Sequence, residues 1–534
     1  MKSLYSEFEK SVKAYPNNPA IVIDDSTYTY SELFTFVNDL HNLIIQSHDQ
    51  VIALLTSRSI ISYAGVLAIL KANKTYLPLS SQYPPSRISD IINLAKTTTL
   101  VVGKECLDLA NKTLNKNDKI NTIIVPGLSK QALSAYTSFR KHHIITDRDY
   151  IIKYQNIYNE TGKSTPPNQY AYLMFTSGST GIPKGVAITH ENIVTYLENI
   201  KMIFDFNQND KFSQAADLTF DMSIHDMFVC WSVGGALYPV PQKSLMAPAK
   251  FIKDNDITTW KSVPSIANIM KKLGMLKSNI FPNLRYSIFG GAPLSVELVR
   301  DWQNAAPNSV VAQSYGLTET SVALFHYKID RGQKDIRSYT GIVSLGSIFS
   351  DHKYKLIDDD GKTVQTGISD LQGELCLAGK QIANGYWLDI ESSRQKFFSD
   401  DSSTIWFRTG DLVRVDKSEH LYYVGRKDHQ VKVSGHRVEL NEINYTIQQL
   451  TNTEVIVSIP YPLTNGTADS IYTFMQQNND YSESDILSHC MRCLPEYMVP
   501  QRILFVKSLP YNNNGKVDWS ALVNYLEENK QQLA

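Results

Sequence analysis

The chain has 534 residues, more than one compact core usually supports, so the sequence predicts two or more domains. Hydrophobic residues make up 43% and charged residues 20%, an ordinary globular composition, and the formal net charge is −1. Such a balance offers no general attraction for nucleic acid or anionic lipid, so polyanion binding is not expected as the main function.

Membrane segments and disulfides are not expected either. The N-terminal stretch MKSLYSEFEKSVKAYP lacks the apolar core of a signal peptide, and no apolar run approaches the ~18 residues of a membrane span. The cysteines are sparse and odd in number, which suits a reducing, cytoplasmic location. Cys490 and Cys493 form a CxxC within a short amphipathic pattern, and we expect buried apolar thiols there rather than a redox or metal site.

Short β-branched runs alternate with helical patterns through most of the first four hundred residues. Examples are AIVI (20–23), VIALL (51–55), TLVVG (99–103) and NTIIVPG (121–127). This alternation is typical of an α/β fold with layered, mostly parallel sheets. Around residues 340–425 closely spaced strands and turns predict a small antiparallel or barrel-like subdomain.

A domain boundary is predicted at VGRKDHQVK, near residues 425–430. It divides the chain into a large N-terminal domain, 1–427, and a small α+β C-terminal domain, 428–534. The C-terminal part is about a hundred residues long, a common domain size.

A loop rich in Ser, Thr and Gly, TSGSTGIPKG (176–185), lies between the β-like run YAYLMFT and a helix for which Thr189 is a candidate N-cap. Unshielded backbone N–H groups, several hydroxyls and one cation are the ingredients of a phosphate cradle. The spacing is not that of a Walker A loop, because Lys184 stands between Pro183 and Gly185. Taken alone, the loop is equally compatible with a flexible turn.

The loop resembles the phosphate loop of the adenylate-forming (AMP-binding) superfamily of acyl-CoA synthetases, luciferases and peptide-synthetase adenylation domains. Further motifs follow in the family's order, and the resemblance covers nearly the whole chain. They are TYSEL (29–33), LKANKTYLPLSSQYP (70–84), LTFDMSIHDMF (218–228), SYGLTE (314–319), GELCLAGKQIANGYW (373–387), FRTGDL (407–412), YVGRKDHQVKVSGHRVEL (423–440) and NGKVD (514–518). The chain looks most like stand-alone amino-acid adenylation enzymes, including D-alanine–carrier protein ligases.

The resemblance implies an ATP- and Mg²⁺-dependent enzyme that converts an amino acid to aminoacyl-AMP and pyrophosphate. It then forms a thioester on the phosphopantetheine of a carrier protein. No Gly-Gly-(His/Asp)-Ser attachment motif follows NGKVD, so the carrier is expected to be a separate protein that acts in trans. Two alternatives are an acid–CoA ligase of the same superfamily and a non-catalytic, regulatory nucleotide-binding module.

Residue roles are carried over by resemblance onto matching positions. Thr318 would contact the α-phosphate, Glu319 would help to hold Mg²⁺, and Lys516 would be the catalytic lysine that bridges α-phosphate and carboxylate. Tyr315 would stack on adenine, and Asp411 would accept both ribose hydroxyls. The ATP-binding set is Thr176, Ser177, Gly178, Ser179, Thr180, Gly181, Lys184, Gly291, Ala292, Ser314, Tyr315, Gly316, Thr318, Asp411, Tyr423, Arg426 and Lys516.

Asp221 is the residue that indicates the type of carboxylic acid. Amino-acid-activating members of the family place an aspartate there for the substrate ammonium, because a buried charge must be paired. Helix N-capping is a compatible second role, and Asp217 is a weaker candidate for the same ammonium. The other amino-acid contacts are predicted to be Met222, His225, Lys261, Ile288, Gly290, Val322, Ala323 and Lys516.

The substrate itself stays open between two classes. Lys261 would suit an acidic or amide side chain, provided that WKSVPS aligns without a gap, whereas the likeness to D-alanine ligases favours a small amino acid. Asp428 is predicted to be the hinge. Gly435 is predicted to line the pantetheine channel, where the missing side chain leaves space.

Overall fold

The computed structural model describes residues 2–530 apart from 147–164, 167, 178–181, 246–247, 359, 365–370, 401–403, 428–429, 454–455, 465–466, 477–479 and 511–516. The strands, numbered in chain order, are β1 (Pro19–Ile23), β2 (Ser26–Thr29), β3 (Val51–Thr56), β4 (Thr75–Ser80), β5 (Thr99–Val102), β6 (Thr122–Ile124), β7 (His143–Ile145), β8 (Tyr170–Thr176), β9 (Lys184–Thr189), β10 (Lys211–Gln214), β11 (Ala236–Pro239), β12 (Thr259–Ser262), β13 (Tyr286–Gly290), β14 (Val310–Tyr315), β15 (Phe325–Ile329), β16 (Ser338–Tyr339), β17 (Ile342–Val343), β18 (Ser347–Ile348), β19 (His352–Ile357), β20 (Leu371–Gly379), β21 (Phe397–Ser399), β22 (Ile405–Val415), β23 (Leu421–Arg426), β24 (Gln430–Val433), β25 (His436–Glu439), β26 (Ile456–Thr464), β27 (Thr467–Gln476) and β28 (Arg502–Val506).

The α-helices of the described residues are α1 (Leu4–Ala14), α2 (Tyr30–Ile44), α3 (Ile60–Lys71), α4 (Pro85–Ala95), α5 (Leu107–Leu114), α6 (His190–Ile203), α7 (Met222–Ile224, continued by a π-helical turn His225–Val229 and by Cys230–Ser232), α8 (Ala249–Asp254), α9 (Pro264–Lys272), α10 (Val296–Ala305), α11 (Ile390–Lys396), α12 (Leu440–Thr451), α13 (Glu483–Cys493) and α14 (Trp519–Glu528). Short 3₁₀ turns occur at Lys104–Cys106, Ala132–Ala135, Thr137–Lys141, Gln242–Ser244, Thr318–Thr320 and Glu496–Met498.

Local sequence explains several helix ends. Thr29 begins α2 with a capping box, in which its hydroxyl accepts from the backbone N–H of Glu32 while the Glu32 carboxylate accepts from the N–H of Thr29. Thr189 caps α6 through Asn192 in the same way, which confirms the predicted N-cap. Helix α3 is apolar on nearly every side and is therefore buried rather than amphipathic.

Two large sheets form the first two layers. A seven-stranded sheet has the order β7-β6-β5-β3-β4-β8-β9 and is parallel except for the final β8–β9 pair. A nine-stranded sheet has the order β18-β15-β14-β13-β12-β10-β11-β1-β2, with a parallel centre and antiparallel edges. The main core joins the two, since Tyr172 of β8, Tyr63 of α3, Trp231 of α7 and Ile288 of β13 all belong to it.

Two smaller sheets follow. Strands β19, β20, β22 and β21 form an antiparallel sheet to which β23 adds beside β22. The last sheet has the order β25-β24-β27-β26, with β28 parallel to β27, and α12 and α13 pack on it. The predicted fold class, layered α/β with a small β subdomain and a compact α+β end, is confirmed.

Two further sequence predictions concern the C-terminal part of the chain: the state of its two cysteines and the position of the domain boundary. Cys490 is buried in the core of the last sheet and Cys493 is half-buried, and both are free thiols. The predicted boundary falls on Asp428, which is outside the described residues, between β23 and β24. The boundary therefore stays a prediction.

Candidate active site

A small cavity lies where β13 and β14 end. In open α/β sheets, ligands bind outside the carboxyl ends of the strands. The lining residues are Gly291, Ala292, Pro293, Gln313, Ser314, Tyr315, Gly316, Ile342, Val343, Leu345, Tyr423 and Lys432. Six of them, Gly291, Ala292, Ser314, Tyr315, Gly316 and Tyr423, belong to the set that the sequence predicts to bind ATP.

Asp411 of β22 joins the residues predicted for the nucleoside. Its Oδ2 accepts a hydrogen bond from Tyr315 Oη at 2.6 Å, and its Oδ1 accepts one from Arg426 Nη1 at 2.6 Å. The carboxylate is 2% exposed, so these bonds stabilise a charge that water does not reach. Each carboxylate oxygen keeps a further lone pair, which leaves acceptor capacity for a diol.

Lys432 of β24 is a site residue that the sequence did not single out. It lines the cavity beside Tyr423. Burial lowers the pKa of Lys432 to about 8, an effect that Asp411 opposes and Arg426 reinforces. The sequence feature that could have indicated Lys432 is the pattern QVKV, which places a lysine in a half-buried strand.

A strained turn after Glu319 shapes the floor of the site. Ser321 and Val322 have φ of 53° and 77°, and a β-branched residue rarely adopts such values. The turn is held by Gln381, whose Nε2 donates to the carbonyl of Ala323 at 2.9 Å and whose carbonyl accepts from Ser321 Oγ at 2.7 Å. Gln381 is fully buried and was not predicted from the sequence.

Gly316 lies against this turn. A Cβ at Gly316 would come within 2.4 Å of the Cα of Ala323 and 2.5 Å of the carbonyl oxygen of Val322. Real Cβ atoms do not approach that closely, so the backbone contact requires glycine.

Glu319 is fully buried and is bound from the C-terminal part of the chain. Arg437 Nη1 on β25 donates to its Oε2 at 3.0 Å and its Oε1 at 3.3 Å, and Tyr386 Oη donates to Oε1 at 2.9 Å. Burial alone would raise the pKa of Glu319, but Arg437 and Tyr386 hold it below its ordinary value. Glu319 is therefore ionised, and Arg437 is a second residue that the sequence did not reveal.

An ionised, buried Glu319 fits the predicted Mg²⁺ ligand. Mg²⁺ binds through one or two carboxylates together with substrate phosphates and water. Within the described ranges, no group of three or more His, Cys, Asp or Glu side chains could hold a metal ion. The donor set fits a metal that arrives with a nucleotide, and in the present arrangement Arg437 supplies the positive charge beside Glu319.

The predicted phosphate loop connects two strands rather than a strand and a helix. Thr176 ends β8 and pairs with Lys184 at the start of β9. The strand β9 was not predicted from the sequence. Ser177 Oγ donates to the carbonyl of Arg437 at 3.0 Å, and Lys184 Nζ lies 5.4 Å from the ring centroid of Tyr386. The tip of the loop, Gly178, Ser179, Thr180 and Gly181, is outside the described residues.

Asp221 directly precedes α7, but its side chain makes no capping bond to the helix. Its Oδ2 is buried and has no hydrogen-bond partner in the described part of the chain. Burial raises the pKa of Asp221 to about 6, while the charge of Lys261 and the backbone N–H groups of Val322 and Met222 oppose the rise. Among the described residues, therefore, no cation is bound directly to the Asp221 carboxyl group.

Lys261 points inward from β12. It pairs in register with Ile288 of β13, which belongs to the core between the large sheets, whereas neighbouring Trp260 packs in the core on the other face. Lys261 is 2% exposed, and its Nζ lies 6.0 Å from the ring centroid of Tyr196. Burial lowers its pKa to about 8, an effect that Asp226 and Asp221 oppose.

The remaining predicted pocket residues are close in the fold. Gly290 pairs with Ser314 on β14, and a Cβ at Gly290 would lie 2.9 Å from the Ser314 carbonyl oxygen. Val322 and Ala323 are buried in the strained turn, and Met222 is half-buried near Gly291. Asp217 instead accepts from the backbone and hydroxyl of Thr219, at 3.0 and 2.7 Å.

Gly435 brings the C-terminal backbone to this site. Its φ is +88°, and a Cβ there would lie 2.7 Å from Val263 Cγ2. The carbonyl oxygen of Gly435 is a close neighbour of Gly291. The next residue, His436, stacks on Tyr497 with ring centroids 4.0 Å apart and lies 4.9 Å from Phe220. Asp428 and Lys516 are outside the described residues, so their roles stay predictions.

The model of the family described as "AMP-binding enzyme" matches residues 8–387, which is most of the chain. The chain belongs to the AMP-binding enzyme family. The predicted membership of the adenylate-forming superfamily is thereby confirmed. Like its relatives, this AMP-binding enzyme is an adenylate-forming enzyme of the peptide-synthetase adenylation type.

The most similar proteins of this family include synthetases and a stand-alone ligase. Tyrocidine synthase 3 of Brevibacillus parabrevis is 28% identical over 97% of the chain, which spans only 8% of that synthetase. D-alanine–D-alanyl carrier protein ligase of Bacillus licheniformis is 26% identical over 96% of the chain and 98% of its own length. The adenylation domain AlmE of Vibrio cholerae, solved in complex with glycyl-adenosine-5′-phosphate, superposes with a TM-score of 0.87 at 28% identity, covering 98% of both chains.

This AMP-binding enzyme also resembles more distant carrier-linked structures, at the level of the fold. A protein containing adenylation and PCP domains superposes with a TM-score of 0.75 at 20% identity, over 98% of this chain and 84% of its own. None of the described helices is long and apolar enough to cross a membrane.

Proposed function

We propose that this enzyme activates an amino acid as aminoacyl-AMP, with release of pyrophosphate, and then loads it onto the phosphopantetheine of a separate carrier protein. The observation that carries the first half is Asp221, a half-buried residue whose Oδ2 is buried and has no partner in the described part of the chain. A buried carboxylate is stable as an anion only beside a cation or hydrogen-bond donors. The α-ammonium of an amino acid supplies both.

The surrounding residues support an adenylation chemistry. Asp411, with Tyr315 and Arg426, would bind the ribose, and the cavity lined by Gly291 and Ala292 would receive the adenine. Thr318, at the start of its 3₁₀ turn, and Lys432 would lie along the α-phosphate. Such preformed donors stabilise negative charge as it develops, without reorganising water.

Glu319 would hold Mg²⁺ when nucleotide is bound. The ion would supply charge neutralisation to the phosphates. The protein contributes an ionised, buried carboxylate and the hydroxyl of Tyr386 that orients it. Arg437 would have to leave Glu319 as the ion arrives, which links metal binding to the position of the C-terminal part.

The transfer to a carrier is supported by two observations. The D-alanyl carrier protein ligase matches the chain over 98% of its own length, and its name describes an enzyme that ligates D-alanine to a carrier protein. In addition, the backbone of Gly435 approaches Val263 and Gly291 at the site. The resemblance predicts that a residue without a side chain at this position lines the pantetheine channel. Coenzyme A is the alternative acceptor, but activators of simple acids do not need a residue such as Asp221.

The test is amino-acid-dependent exchange of pyrophosphate into ATP, measured across the twenty amino acids, D-alanine and β-alanine. We expect exchange with a small set of amino acids and none with fatty or aryl acids. Loading of a holo carrier, followed by mass spectrometry, then tests the second half against free coenzyme A. Exchange that depends only on fatty or aryl acids would overturn the proposal.

A further inference from the structure

Three nitrogen atoms around the amino-acid site lack acceptors. They are Lys261 Nζ, His225 Nε2 and His326 Nδ1, and none has a hydrogen-bond partner among the described residues. The three side chains are 2%, 0% and 6% exposed, so water does not replace the missing partners. Buried polar groups are nearly always hydrogen-bonded, and an orphaned one indicates a ligand or a special role.

Strand register brings two of these groups to one sheet face. Lys261 pairs with Ile288, Gly290 pairs with Ser314, and Ser314 pairs with His326 across the next strand. Paired residues, and residues two apart on one strand, share a face. His225 reaches the same place from α7, and the charge of Lys261 acts on both imidazoles and on Asp221.

The hydrogen bonds of the two histidines identify their free nitrogens as donors. Tyr196 Oη lies 2.7 Å from His225 Nδ1, and Ser314 Oγ lies 3.1 Å from His326 Nε2. Neither hydroxyl has another acceptor among the described residues, so each donates to its ring nitrogen. A neutral imidazole then carries its proton on the other nitrogen. Burial, and then Lys261, lower the pKa of both imidazoles, so they are neutral.

We propose that the amino acid carries a short acidic side chain, of the aspartate class, whose carboxylate accepts from Lys261, His225 and His326. This inference rests on the proposed function and names the substrate class. A carboxylate offers two oxygens with about four lone-pair sites, enough for three donors. Glycine or alanine would leave a buried lysine and two N–H groups unsatisfied.

Asp226 is the feature that favours a rival substrate. Its carboxyl is buried within electrostatic range of Lys261, and its Oδ2 has no partner among the described residues. As an anion, it would accept from the NH₂ of a carboxamide while Lys261 donates to the carbonyl, which would favour asparagine. Burial raises the pKa of Asp226 well above its ordinary value, however. A protonated Asp226 leaves the charge of Lys261 for the substrate.

The decisive experiment compares kcat/KM in pyrophosphate exchange for aspartate, asparagine, glutamate, alanine and glycine on the unmodified enzyme. An uncompensated buried charge costs several kcal/mol, so we expect aspartate to exceed alanine and glycine by about 100-fold or more. Asparagine above aspartate, or alanine or glycine equal to it, would overturn this inference but leave the proposed function intact. Absence of exchange with every amino acid would instead overturn the proposed function.

Lys261→Met tests the main donor, with Lys253→Met as a control because Lys253 is an exposed lysine on α8. We expect Lys261→Met to lose about 100-fold in kcat/KM for aspartate and much less for alanine, whereas Lys253→Met retains both values. Binding of ATP, measured by calorimetry, shows that each variant is folded. An equal loss for aspartate and alanine in a variant that still binds ATP would contradict the assignment.

Discussion

Single charged residues decide what this site can bind, because burial makes the charge of each depend on its partner. Asp221 and Lys261 have pKa values moved toward neutrality by burial, to about 6 and about 8. Glu319, which is fully buried, keeps a low pKa because Arg437 contacts it. Protein partners thus stabilise the charge of Glu319 in the free enzyme. We expect a bound ligand to stabilise the charges of Asp221 and Lys261.

Replacing Asp221 with asparagine keeps the shape of the side chain and removes its charge. We expect kcat/KM for the amino acid to fall by about 100- to 1,000-fold, since breaking a buried ion pair costs ~3–5 kcal/mol. The affinity for ATP should change little, because Asp221 is not among the residues that line the nucleotide cavity. Pyrophosphate exchange and calorimetry with ATP measure the two effects, and unchanged kcat/KM would rule out the ammonium contact.

The pH dependence of the amino-acid step follows from the same residue. Asp221 is protonated below its pKa of about 6 and ionised above it, and only the ionised form pairs with an ammonium. We therefore expect kcat/KM for the amino acid to decrease about tenfold per pH unit below pH 6. The Asp221→Asn variant should lack this acidic limb. A limb of the wild-type profile that lies near pH 4 would indicate a different group.

At the scale of elements, the alternation of strands and helices was sufficient to predict layered α/β sheets. The ordered motifs also indicated six of the residues that line the cavity at the ends of β13 and β14. Contacts between distant segments were not predictable. Arg437 and Glu319 are 118 residues apart, and Gln381 reaches the strained turn at Val322 from another strand connection. These contacts depend on the tertiary fold, so no local sequence pattern predicts them.

A substitution at Gly435 tests whether carrier loading requires the close approach of the β24–β25 connection to the site. Gly435→Ala places a methyl group 2.7 Å from Val263 Cγ2 at a left-handed φ. We expect carrier loading to fall by about tenfold or more, while pyrophosphate exchange changes little.

Gly274→Ala is the matched control for that substitution. Gly274 also has a left-handed φ, +67°, but a Cβ there meets nothing within 4 Å. The control therefore carries the backbone strain without the clash. If both variants lost carrier loading equally, the contact with Val263 would be irrelevant to the second step.

At the scale of the whole molecule, the C-terminal sheet is held against the large domain by contacts of different kinds. Arg87 of α4 and Glu442 of α12 form an ion pair whose side chains are 8% and 1% exposed. Ser86 Oγ donates to the carbonyl of Arg492 at 2.7 Å. Lys272 and Asp469 also pair, at 3.5 Å, but their side chains are 71% and 66% exposed. Separating the buried pair, Arg87 and Glu442, therefore costs more free energy than separating the exposed pair.

In this arrangement the backbone of Gly435 lies at the site, against Val263 and Gly291. The resemblance predicts that the C-terminal part rotates between the half-reactions. Such a rotation would break the ion pair between Arg87 and Glu442. The buried pair would then favour the orientation with Gly435 at the site. That orientation is the one predicted to serve thioester formation.

Arg87→Met removes the buried ion pair with Glu442, which destabilises the present orientation specifically. We expect the rate of carrier loading to fall by about 100-fold or more and pyrophosphate exchange not to fall, because ~3–5 kcal/mol of stabilisation is lost from one orientation only. Lys272→Met, which removes the exposed pair, should change neither rate, since such pairs contribute ~0–1 kcal/mol. Replacing both charges, in Arg87→Met with Glu442→Met, should restore part of the loading rate, because an apolar pair leaves no uncompensated charge. Equal losses of both half-reactions in Arg87→Met would mean that the pair stabilises the folded chain without selecting an orientation.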